Sequence, residues 1–323
     1  MSFFGGGTDI REFYEKYEGA VLSSTFDKYC YVTVRHLPRF FDYKNQITYS
    51  RIERVMGVDD IEHPLVRNAM KYLDMHELIV TYDADLPART GLGTSSSFAV
   101  GLLNAFHCLK GKPKDKKTMA DEAIYVERVL CDEAGGLQDQ VAASFGGLNR
   151  IDFRADDYTV TPIIISEERK KALNDALLLY FTGFSRFSAD IQVDTKKNIG
   201  NKTDTLLRMK AMVDEAEEIL KDDTRDLDDF GRFLDESWRL KRTTGSKISN
   251  DQIDQIYEKA LKSGALGGKL LGAGGGGFML FYVPKERQEA FKADFAELLP
   301  VPFRFENEGT TVIYDVPEEY EKE

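Results

Sequence analysis

Hydrophobic and polar positions change period several times along the chain. "FDKYCYVTV" (26–34) is β-branched and aromatic and predicts a strand, and "HELIVTYDADLP" (76–87) contains another. From Thr94 to Lys110 the period becomes helical. Phe98, Leu102, Phe106 and Leu109 share one stripe, and Gly111 with Pro113 ends it. A second helix is predicted from Asp115 to Cys131, with Met119, Ala123, Val126 and Leu130 inward. "GGLNRIDFR" (146–154) reads as a strand, followed by the apolar runs "YTVTPIIIS" and "ALLLYFTG". Residues 188–262 carry three or four charged amphipathic helices, the last opening at Ser249-Asn250. A glycine loop at 272–277 leads into the strand "FMLFYV" and a helix with Pro284 at its start. "FRFENEGTTVIYD" (303–315) predicts a closing hairpin.

Strands and helices alternate without a βαβ rhythm, so an α+β fold is expected rather than a doubly wound sheet. The texture changes near 155–175, which predicts two domains, 1–165 and 166–323. Composition narrows the partners. The net charge is −12 and no Lys/Arg block occurs, which argues against nucleic acid. No window approaches a membrane span, and "MSFFGGGTDI" lacks the basic start of a signal peptide. Cys30, Cys108 and Cys131 are odd in number and fit no metal spacing, so reduced thiols and a cytoplasmic location are expected. His36, His63, His76 and His107 show no ligand spacing.

Candidate chemistry concentrates in "PARTGLGTSSSFAV" (87–100). One reading is a turn feeding a helix capped by Thr94 or Ser95. The other is an anion site. Gly91 and Gly93 let backbone amides turn inward, and the helix presents its positive end. The hydroxyls of Thr94 through Ser97 exceed what one cap needs and can meet phosphate oxygens or Mg²⁺. Neither familiar nucleotide template fits. The third glycine of G-x-G-x-x-G is missing, and "GAGGGGFM" (272–279) has Phe278 and Met279 where a P-loop needs Lys and Ser/Thr.

These residues also carry a resemblance. "PARTGLGTSSS" resembles the second signature of the galactokinase, homoserine kinase, mevalonate kinase and phosphomevalonate kinase (GHMP) superfamily. "KLLGAGGGGFMLF" (269–281) resembles its third signature and "FFGGGTDI" (3–10) the end of its first. "GGLQDQVAASFGG", "YFTGFSR", "GSKIS" and the Gly5-Gly6-Gly7 run look most like the heptose 7-phosphate kinase branch; galactokinases carry a G-E-H-T-D-Y type first motif instead.

The resemblance implies an N-terminal domain like the second domain of ribosomal protein S5 and a ferredoxin-like C-terminal domain. It implies ATP and Mg²⁺ as cofactors and transfer to the anomeric hydroxyl of D-glycero-D-manno-heptose 7-phosphate, feeding cell-surface polysaccharide precursors. A kinase of free fucose or galactose, or a weak ATP- and sugar-binding sensor, are the alternatives; a homodimer is an open option. Asp139 then matches the catalytic base, and Gly91, Leu92, Gly93, Thr94, Ser95 and Ser96 the ATP phosphate loop. Glu127 matches the Mg²⁺ carboxylate, with Ser95 as hydroxyl ligand and Thr94 or Ser96 as alternatives one residue away. Gly7, Thr8, Asp9, Gly274 and Gly275 are implied at the sugar, and Arg11, Arg186, Lys269 and Arg89 are candidate partners for its phosphate. The first signature also implies an arginine nine residues before Asp9. That position falls one residue before Met1, so we expect Met1 to be an internal methionine of a longer chain.

Overall fold

The computed structural model describes residues 1–88, 90–183 and 202–316. Arg89, Arg186 and the first part of the helical stretch expected from residue 188 lie outside the described residues. Three sheets organise the rest in an α+β fold. In the first, β2 (Gly19–Phe26) pairs antiparallel with β1 (Ser2–Phe4) and with β7 (Leu148–Phe153), and β7 with β8 (Tyr158–Pro162). The second runs in the order β3 (Cys30–His36), β6 (Leu78–Ala84), β4 (Asn45–Thr48), β5 (Ile52–Val55). The third is antiparallel, ordered β10 (Gly267–Leu270), β11 (Phe278–Tyr282), β9 (Leu177–Phe181), β12 (Leu299–Pro300).

The single strand expected over 26–34 is two strands. Asp27 to Tyr29 turn the chain from the first sheet to the second, held by Asp27 N–H donating to Arg304 O (2.9 Å) and Tyr29 N–H to Asp85 (2.9 Å). Helix α1 (Arg11–Tyr17) follows the first glycine run, and α2 (Pro64–Tyr72) opens on its proline. Helix α3 (Thr94–Leu109) buries Phe98, Leu102 and Phe106 as predicted. Val100 and Leu103 are buried as well, because α3 is packed on more than one side and its apolar residues extend beyond one stripe. The predicted second helix splits into α4 (Lys116–Ile124) and a π-helical turn at Tyr125–Leu130. The wider turn shifts the phase, so Glu127 goes inward beside Val126 while Leu130, expected inward, lies at the surface. Helix α5 (Gln138–Phe145) then returns beside α3.

Past α6 (Glu167–Ala176), the second half holds α7 (Thr203–Lys221), α8 (Asp228–Arg242), α9 (Asp251–Lys262) and α10 (Gln288–Asp294). The side chain of Asn250 caps α9, accepting from Ile253 N–H at 3.0 Å. Trp238, Tyr180, Phe281, Phe291 and Phe295 fill the core against the third sheet. Helix α8 lies directly on β10: a methyl placed on Gly267 would come within 2.1 Å of Gly231 O.

The expected closing hairpin is absent from the described residues. β13 (Phe305–Glu306) instead pairs with β2, Phe305 opposite Phe26 and Glu306 opposite Thr25. The end of β2 thus gains ladder partners, and Thr25 Oγ1 donates to Glu306 O at 2.7 Å. No helix among the described residues is long and apolar enough to cross a membrane.

Candidate active site

A cleft of about 940 Å³, counted with its open mouth, lies where the phosphate loop, the first glycine run and the third-signature loop meet. Its walls include Gly7, Asp9, Gly91, Leu92, Asp139, Lys241, Lys269 and Gly272. The cleft is large enough for a sugar phosphate.

Gly93, in the left-handed conformation at φ 71°, is the N-cap of α3, and no side chain caps the helix. The Thr94 or Ser95 cap expected from sequence is therefore corrected. With the capping position occupied by glycine, the first-turn amides and the hydroxyls stay available to an anion. Gly91 has φ 82°, and the third-signature loop packs onto it so tightly that a methyl on Gly272 would lie 2.3 Å from Gly91 Cα. The two glycine-rich segments thus form one wall.

Three consecutive residues at the start of α5 reach three parts of the site. Gln138 N–H donates to Asp9 Oδ2 (3.1 Å). Asp139 faces the phosphate loop, its Cγ 3.3 Å from where a methyl on Gly93 would sit. Gln140 Nε2 donates to Glu127 Oε2 (2.5 Å), and Ser95 Oγ donates to Glu127 Oε1 (3.0 Å). Among the three hydroxyl candidates the structure pairs Ser95 with Glu127. Glu127 is only 1% exposed, and the π turn supplies that inward aim.

The Asp139 side chain is solvent-exposed at the cleft wall. Desolvation, then the Asp9 carboxylate, raise its pKa to about 6 against the pull of the Met1 ammonium and Arg128. Asp9 is 1% exposed and also accepts Gly7 N–H at 3.0 Å. Two bonds leave its oxygens with spare lone pairs toward the cleft.

Several expected contacts are corrected. Thr8 is fully buried and its hydroxyl is engaged by backbone, 2.8 Å from Gly5 O and accepting Ala20 N–H at 3.0 Å; it locks the glycine run and faces no ligand space. Arg11 points away from the cleft, 75% exposed, paired with Glu15 one helical turn on. Gly274 and Gly275 lie against the 248–250 backbone, with Gly275 N–H donating to Ile248 O (2.9 Å), while Gly272 and Ala273 line the cleft. Lys269 does line it, 3% exposed, with Nζ donating to Phe3 O (2.8 Å) and burial pulling its pKa well down.

Arg128, Lys241, Ser2 and Gln138 also line the cleft, and the sequence motifs had not singled them out. Arg128 holds Gly136 O through Nε (3.1 Å) and Nη2 (2.9 Å). Ser2 Oγ and Gln138 Oε1 are buried without a hydrogen-bond partner. For Arg128, its position one residue past Glu127 was the available signal; for Lys241 nothing local marked it.

Comparisons with known proteins identify the family. Residues 64–147 match the model for the GHMP kinases N terminal domain, and 212–300 that for GHMP kinases C terminal. The chain belongs to the GHMP kinase family. It is 33% identical over 307 residues, 91% of this chain and 90% of the relative, to D-glycero-alpha-D-manno-heptose 7-phosphate kinase of Campylobacter jejuni. It is 29% identical to L-fucokinase/L-fucose-1-P guanylyltransferase of Bacteroides fragilis, over 66% of this chain and 23% of that larger protein. A crystal structure of a D-glycero-D-manno-heptose 1-phosphate kinase from Bacteroides thetaiotaomicron shares the fold, with TM-score 0.79, 23% identity and coverage of 98% and 97%. The protein is a kinase, a phosphotransferase with an alcohol group as acceptor that uses ATP.

Proposed function

We propose that the cleft transfers the γ-phosphate of ATP to the anomeric hydroxyl of D-glycero-D-manno-heptose 7-phosphate, giving the 1,7-bisphosphate. The observation that carries the reading is the start of α5, which presents Asp139 to the phosphate loop while Gln140 holds Glu127 against Ser95. The heptose 7-phosphate specificity is supported by the Campylobacter relative.

In this reading Gly91 to Ser96 hold the ATP phosphates with backbone amides and hydroxyls. Asp139 accepts the proton of the acceptor hydroxyl as that oxygen bonds to the γ-phosphorus; the bond from phosphorus to the ADP oxygen breaks, and ADP leaves with that electron pair. Asp9 and Gly7 orient the sugar, with Ser2 and Gln138 offering further polar atoms. Ser95 and Glu127 would hold Mg²⁺: one hydroxyl and one carboxylate suit an ion that keeps waters and binds phosphates, and the described residues contain no larger ligand cluster. When bound, that ion neutralises phosphate charge. The two predicted domains would divide the work, 1–165 carrying phosphate loop, metal pair and base, and 166–323 the third-signature loop. ATP use and the free thiols Cys30, Cys108 and Cys131 support a cytoplasmic setting.

The fucokinase relative favours a second reading, an unphosphorylated sugar as acceptor. A coupled ADP-release assay against heptose 7-phosphate, free heptose, L-fucose and D-galactose decides between them. The first reading expects kcat/KM highest on heptose 7-phosphate; turnover confined to unphosphorylated sugars overturns it.

A further inference from the structure

None of the three signatures contains Lys241, yet the fold delivers it to the wall of the cleft. It stands in the last turn of α8, a helix whose first half lies against β10 at Gly231. Its Nζ donates to Gly272 O at 2.6 Å, and Gly272 is the residue packed onto Gly91 of the phosphate loop. Among the described residues this carbonyl is its one recorded hydrogen-bond acceptor, which leaves two N–H donors for a ligand. The titratable side chains that line the cleft with it are Asp9, Asp139, Arg128 and Lys269. Of the cations, Arg128 is committed to Gly136 O and Lys269 to Phe3 O, in a burial that disfavours its charge. Burial lowers Lys241 only to about 8, because Asp9 and Asp139 support its protonated form. A net-negative chain thus carries a cation beside the proposed base, at the junction of both glycine segments.

We propose that the Lys241 ammonium binds the γ-phosphate of ATP and neutralises charge on the phosphoryl group as it moves to the acceptor. Lys241 neither gains nor loses a proton in this step; the acceptor proton goes to Asp139. The proposal rests on the kinase reading of the cleft but not on which sugar is the acceptor.

The test compares wild type with Lys241→Met and Lys241→Arg. Binding of ADP and of the non-hydrolysable analogue AMPPNP is measured by calorimetry, alongside steady-state kinetics and melting temperature. Lys241→Met should lower the AMPPNP-over-ADP preference by about 10-fold and kcat by about 10²-fold or more. Lys241→Arg should restore kcat to within about 10-fold of wild type, since it keeps the charge but not the shape. An unchanged AMPPNP-over-ADP preference in a folded Lys241→Met overturns the proposal, as does a loss of melting temperature with kcat intact, which would mean that Lys241 only props the Gly272 loop. A wild type inactive on heptose 7-phosphate refutes the acceptor reading alone, because the nucleotide-binding comparison still decides the role of Lys241.

Discussion

As the proposed base, Asp139 combines two requirements that usually conflict. A base must be ionised at working pH and still accept a proton, and a carboxyl near pKa 6 does both. Desolvation by the cleft walls and the Asp9 carboxylate raise it; the positive end of α5 keeps the ionised form within reach. Asp139→Asn should lower kcat by about 10²- to 10⁴-fold with the ATP dissociation constant nearly unchanged, as read by single-turnover kinetics and calorimetry. Because the active form is deprotonated, kcat/KM should be level above the pKa and fall on the acid side of about pH 6. A pH–rate profile flat down to pH 5 would remove Asp139 from that role. Glu127 has a separate signature. Glu127→Gln leaves one weak oxygen beside Ser95, and a Mg²⁺ titration should show half-maximal activity shifted upward by about 10-fold or more.

Elements, rather than single side chains, set the spacing of the site. The third-signature loop touches the phosphate loop because both are glycine at the contact, Gly272 against Gly91. A side chain at Gly91 would meet Leu271 O at 2.6 Å in a backbone conformation of φ 82° that L-residues rarely adopt. Gly91→Ala should therefore cost about 10²-fold in kcat/KM through a displaced loop, measurable with little change in circular dichroism. The helical period of α3 was legible because its apolar spacing is local. The π turn at 125–130 was not. Its extra residue per turn follows from packing that buries Glu127 against Gln140, a contact thirteen residues apart in sequence. The 26–34 stretch misled for a related reason: β-branched residues state a preference for extension, while the switch of sheets at Asp27–Tyr29 depends on Arg304 and Asp85 far along the chain.

Across the whole molecule the last described residues return to the first sheet. β13 pairs with the last residues of β2, Thr310 N–H donates to Ala143 O (2.9 Å) on α5, and Thr310 Oγ1 accepts from Asn104 (3.0 Å) on α3. The tail thereby ties together the two helices that carry the phosphate loop and Asp139. A chain ending at Val301 should lose more than about 5 °C of melting temperature by calorimetry, and an unchanged value would reduce the tail to decoration. The sequence by itself determined the α+β class and the main helices through local periodicity, and its short signatures carried the family resemblance that marks Gly91–Ser96, Glu127 and Asp139 as candidates. Only the tertiary structure decided that Ser95 meets Glu127, that Arg11 and Thr8 are turned away, and that Lys241 enters the cleft. Those outcomes depend on the seating of α5 and α8 against other elements, and no local pattern encodes where two distant segments come to rest.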